Sequence, residues 1–196
     1  MGIVNMDKIK KVSFHMMRAF NILLIAIPLI LLLQWLFISI KTTDLSPLIN
    51  FFGLFEKEVL TPEGLVNLSN AVWTLPLKAL GFFAELIGLM PFLISLFILK
   101  SIFNDYQQGT IFSVANAQKY KKLGWISFID ALIIKSCSNS LLVLAVTLTN
   151  PPGHRYLTLA FGTPNLKALF LGALLIIISW VMLEASKIYD EQKFTI

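Results

Sequence analysis

The chain is 196 residues long, and 57% of it is hydrophobic against 14% charged. Soluble domains sit nearer half apolar and about a quarter charged. The apolar excess falls into four long runs, which excludes an ordinary water-soluble core. The formal net charge of +5 gathers beside those runs, where it reports membrane orientation, and no soluble domain offers a basic face with stacking aromatics. Direct nucleic-acid binding is not expected.

Cys137 is the single cysteine. One cysteine makes no internal disulfide, no CxxC redox pair and no zinc site, so a disulfide oxidoreductase is excluded. The two histidines, His15 and His154, lie far apart in the chain and on opposite sides by the topology below. That rules out a bundle of histidine-ligated haems. No catalytic, cofactor-binding or metal-ligating residue is expected.

A helix needs about 20 apolar residues to cross a hydrocarbon core about 30 Å thick. The runs predict spans over 19–40, 77–102, 123–149 and 166–187 within one membrane domain covering 1–196. The first contains Pro28 and is too long for a signal-peptide core, so a retained anchor is expected. The second contains Pro91. The expected fold is all-α: a polytopic membrane protein with four transmembrane helices in a bundle.

Residues 41–76 are expected to form an extracytoplasmic cap of short amphipathic helices. Thr61-Pro62-Glu63 reads as a helix start, with threonine as N-cap, proline at the first helical position and an acid near the positive dipole end. The connection between spans two and three carries a polar helical stretch, Phe112 to Tyr120, ending in Lys119-Tyr120-Lys121-Lys122. That run suits an anionic lipid surface or a protein partner.

Lysine and arginine set the direction. Lys8, Lys10, Lys11, Arg18, Lys100, Lys119, Lys121, Lys122, Lys187 and Lys193 share one side, against Lys41, Lys57, Lys78, Arg155 and Lys167 on the other. The bias predicts that both termini are cytoplasmic in a bacterial inner membrane.

Within the spans sit Glu85, Asp130 and Lys135, with Asn139 on the Lys135 side. A charge at mid-bilayer costs about 3 kcal/mol on insertion scales, so each implies a partner or a task. Depth arithmetic permits a Glu85–Lys135 pair, read either as a structural salt bridge or as part of a proton or cation relay. Ala84/Gly88 and Ala168/Gly172 are small-xxx-small pairs that allow close helix contact. His154 and Arg155 form the one outer pair an enzyme could use.

Two stretches carry a resemblance. Gly109-Thr110-Ile111-Phe112-Ser113 leads through an amphipathic stretch to Leu123-Gly124. Glu184-Ala185-Ser186-Lys187 precedes Asp190-Glu191-Gln192-Lys193-Phe194-Thr195-Ile196. Together they resemble a family of small four-span bacterial membrane proteins catalogued as domain of unknown function 2975. The family it resembles has no assigned activity. Family members are often encoded beside a very small helix-turn-helix regulator, which implies a non-enzymatic membrane protein that holds such a cytoplasmic partner. Tyr189, Asp190, Glu191 and Phe194 could dock in a groove on that partner, or pack against the connection with the acids near Lys119, Lys121 and Lys122. The other reading of the residues is a small transporter or channel using Glu85 and Lys135. A homo-oligomer is compatible with either.

Overall fold

The computed structural model describes residues 6–38, 58–68, 71–157 and 165–194. Among the described residues, four helices are long and apolar enough to cross a membrane, which marks a multi-pass membrane protein. They are α1 (Met6–Phe37), α2 (Leu75–Gln107), the pair α3 (Val114–Ile129) and α4 (Lys135–Thr147), and α5 (Leu166–Phe194). A π turn over Asp130–Ile134 joins α3 to α4, so the third crossing is one continuous helical run.

The helices outrun the apolar segments. Nothing between Met6 and Ala19 breaks a helix, and lysine is a good helix former, so α1 begins at Met6 rather than at residue 19. The third run starts at Val114 instead of 123, because Ser113 caps it: the Ser113 hydroxyl accepts from the Asn116 amide. The polar stretch expected at 112–120 is thus the first two turns of the crossing helix.

The helix expected to start at Thr61 is not formed. Residues Glu58–Thr61 and Gly64–Asn67 make antiparallel strands β1 and β2, with Thr61 opposite Gly64. Thr-Pro-Glu can open a helix, but Pro-Glu followed by glycine also fills the corner of a tight turn. Gly64 decides it: its φ of +123° suits only glycine. The Thr61 hydroxyl closes the turn by donating to the Gly64 carbonyl at 2.8 Å. Val59 turns inward while Leu60 and Leu65 are exposed, the alternation of a strand. The amphipathic helices expected over 41–57 lie outside the described residues.

The chain divides into two compact units. One comprises Met1–Ala26, Pro91–Leu132 and Pro164–Ile196; the other comprises Ile27–Met90 and Ile133–Thr163. In the second, Leu31, Trp35, Val59, Leu68, Ala84 and Leu142 belong to one buried cluster. In the first, α3 and α5 touch at glycines. A methyl on Gly124 would come 2.8 Å from the Gly172 carbonyl oxygen, so the two backbones meet with no room for a side chain.

Candidate functional site

In the second unit, α2 presents Lys78, Gly81, Ala84, Glu85 and Gly88 along one face, at the i, i+3, i+4 spacing of a helix. The small residues open a slot. Trp35 of α1 lies in it, against Gly81, where a Cβ would fall within the indole ring. At Gly88 a Cβ would sit 2.6 Å from the Ser138 hydroxyl of α4. The slot directs the indole N–H of Trp35 to the Glu85 carboxylate, which accepts it at 2.7 Å. Trp73 meets Trp35 edge-on, centroids 5.0 Å apart, and donates its own N–H to the Leu68 carbonyl. Lys78 donates to the Leu36 carbonyl at 3.1 Å. That carbonyl is in the last turn of α1, which has no helical donor of its own and favours a cation.

The intramembrane charges are therefore arranged otherwise than the depth arithmetic allowed. Among the described residues Glu85 and Lys135 form no ion pair; Glu85 is buried against Trp35, whereas Lys135 is exposed. Asn139, one turn on, is exposed beside it, and Ser138 alone of that group is buried. Asp130 opens the π turn and is half-buried.

Also in the second unit, the hairpin turn reaches the 151–157 loop. His154 pairs through Nδ1 with the Glu63 carboxylate, and the Tyr156 hydroxyl donates to the same oxygen at 2.8 Å. These two hydrogen bonds, His154 first, hold the Glu63 carboxyl below its ordinary value of 4.5. The Glu63 acceptor in turn pushes Tyr156 above its ordinary 10.0. Arg155 donates back to the Asn150 carbonyl of its own loop.

In the first unit, the Gly109–Ser113 stretch has a structural explanation residue by residue. Gly109 (φ +85°) ends α2 as the left-handed residue of a Schellman motif: its amide donates to the Tyr106 carbonyl, and the Thr110 amide to that of Asp105. Ser113 then caps α3. Asn116, fully buried, clips the connection from inside by donating to the Thr110 and Ile111 carbonyls at 2.9 and 3.2 Å. Its own carbonyl oxygen has no hydrogen-bond donor among the described residues. Lys119 pairs with Asp105 rather than with the tail acids, and the Tyr106 and Tyr120 hydroxyls meet at 3.0 Å. Lys121 and Lys122 are exposed.

The tail does meet that connection. Met6, Ile9, Gly109–Val114, Tyr189 and Asp190 line a cleft of about 510 Å³. The first turns of α1, the middle connection and the last turns of α5 thus come together from three distant stretches of sequence.

Both stretches that carried the resemblance fall within residues 63–196, the segment matched by the family model described as protein of unknown function (DUF2975). The chain belongs to that family. No curated protein and no solved structure matches it. Within this DUF2975 chain, sequence reading missed Trp35 as the partner of Glu85, Asn116 as the clip, and the Glu63–His154–Tyr156 cluster. The first could have been found from the small residues three, four and seven apart around Glu85, which announce a bulky neighbour. The side chain of Phe194 and residues 195–196 lie outside the described residues.

Proposed function

We propose that the chain is a non-enzymatic protein of the bacterial inner membrane, with both termini cytoplasmic, that binds a small cytoplasmic protein through its tail end. The observation that carries this reading is the 510 Å³ cleft lined by Met6, Ile9, Gly109–Val114, Tyr189 and Asp190. It joins the two stretches typical of the family, and it offers apolar walls with two aromatics, Phe112 and Tyr189, beside one acid, Asp190. Such a cleft suits an apolar side chain flanked by a basic residue on a short helix. A small helix-turn-helix regulator is the partner class that the family resemblance suggests. The ten-to-five distribution of lysine and arginine supports the orientation.

A transporter using Glu85 and Lys135 has less support. The Glu85 carboxylate is engaged by a buried indole, and Lys135 is on an exposed helix face.

The test is affinity purification of the full chain in mild detergent, beside an Asp190→Lys variant and a chain truncated after Lys187, read by mass spectrometry. One stoichiometric small protein recovered with the full chain, and lost from both variants, is the expected outcome. The same proteins with all three, or none with any, would overturn the reading.

A further inference from the structure

One side of α3 carries Gln118, Lys121, Lys122, Trp125 and Ile126. Their spacing of three and four residues stacks them along a single face. Ile94 and Ile98, one turn apart on α2, stand across from them, and these side chains enclose a groove of about 590 Å³. All seven residues belong to the first compact unit.

The groove is graded along its length. Two ammonium groups lie at one end, an indole follows one turn on, and branched hydrocarbon comes after. The cations are available: Lys119 is drawn off to Asp105, and among the described residues Lys121 and Lys122 enter no ion pair. Trp125 is 54% exposed, on a helix apolar enough to cross a membrane. An indole with one wet edge and one apolar face belongs at the headgroup level of a bilayer.

We propose that this groove binds one anionic phospholipid. The phosphodiester sits between Lys121 and Lys122, with Gln118 facing headgroup hydroxyls. The Trp125 N–H donates to an acyl ester carbonyl, and one acyl chain runs over Ile126, Ile94 and Ile98. From Lys122 to Ile126 the helix rises about 6 Å, which covers the step from a lipid phosphate to the head of its acyl chain. A zwitterionic choline lipid would bring a quaternary ammonium toward two lysines, so the site selects for net negative charge. The inference is independent of the protein partner at the tail cleft.

The test uses the full chain in bilayer nanodiscs holding equal phosphatidylglycerol and phosphatidylcholine, with retained lipids counted by native mass spectrometry. The expected result is preferential retention of phosphatidylglycerol, reduced roughly 30-fold in a Lys121→Gln/Lys122→Gln variant, the loss due to two surface lysines. Ile98→Trp, which fills the groove and keeps both charges, should reduce it too. Lys10→Gln/Lys11→Gln, the same charge loss on α1, should leave it unchanged. An equal fall in the α1 variant would mean diffuse surface attraction and would overturn the site. So would undiminished retention in folded Ile98→Trp, or displacement of the lipid by millimolar inorganic phosphate.

Discussion

Gly81 has a definite job. A side chain there would occupy the space of the Trp35 ring, and Trp35 would have to leave Glu85. Gly81→Leu is therefore expected to lower stability by about 1–3 kcal/mol, the range for overpacking, read as a lower melting temperature in detergent. The hydrogen bond itself is tested by subtraction. Trp35→Phe keeps most of the ring but leaves a buried carboxylate without that donor, at a cost of about 1–3 kcal/mol. Glu85→Gln keeps an acceptor oxygen for the indole and should cost less. If Glu85→Gln melts lower than Trp35→Phe, the carboxylate charge matters more than its bond to Trp35. Glu85 itself was legible in the sequence as a costly intramembrane charge. Its partner was not, because depth along a helix says nothing about rotation around it. The arithmetic could bring Lys135 to the right layer but could not show that it faces outward.

The elements were legible in proportion to how strongly they repeat one signal. The four apolar runs were plain, since a helix of that length in hydrocarbon has no alternative that satisfies its backbone. Their ends were less so: apolarity marks the part that crosses lipid, whereas the helix continues until a cap such as Ser113 or Gly109 stops it. The β1–β2 hairpin was misread because Thr61-Pro62-Glu63 serves two structures, and Gly64 three residues after Thr61 was the deciding signal. The hairpin also carries a pH dependence. Glu63 is held below 4.5, so the stabilisation from its contacts is present above that pH and is lost as pH falls below it. Tyr156 is held above 10.0, so its part is present below that pH and is lost as pH rises past it. Amide exchange in Glu58–Asn67 should be slowest between the two and quicken on either side. Exchange that ignores pH at both ends, after correction for the intrinsic rate, would remove the Glu63–Tyr156 link. Replacing Glu63 by Gln should abolish the acid limb and weaken the alkaline one, since Glu63 is also what raises Tyr156.

At the scale of the whole molecule, the proposed orientation puts Gly109–Ser113, Lys121, Lys122 and the tail on the cytoplasmic side of the membrane. The support for that orientation is the lysine and arginine count, since charge bias acts at insertion. The tail cleft was half-readable: its residues stood out, but their convergence depends on how three distant stretches pack. The most direct test is thiol accessibility. In a Cys137→Ser background, single cysteines replace Gln108, Lys187, Glu58 or Pro152, and an impermeant maleimide is applied to right-side-out and inverted membrane vesicles. The account predicts that the cysteines at 108 and 187 react only in inverted vesicles, and those at 58 and 152 only in right-side-out ones. Labelling of 108 and 187 from opposite sides would contradict it, because the cleft and its tail could not then share a face.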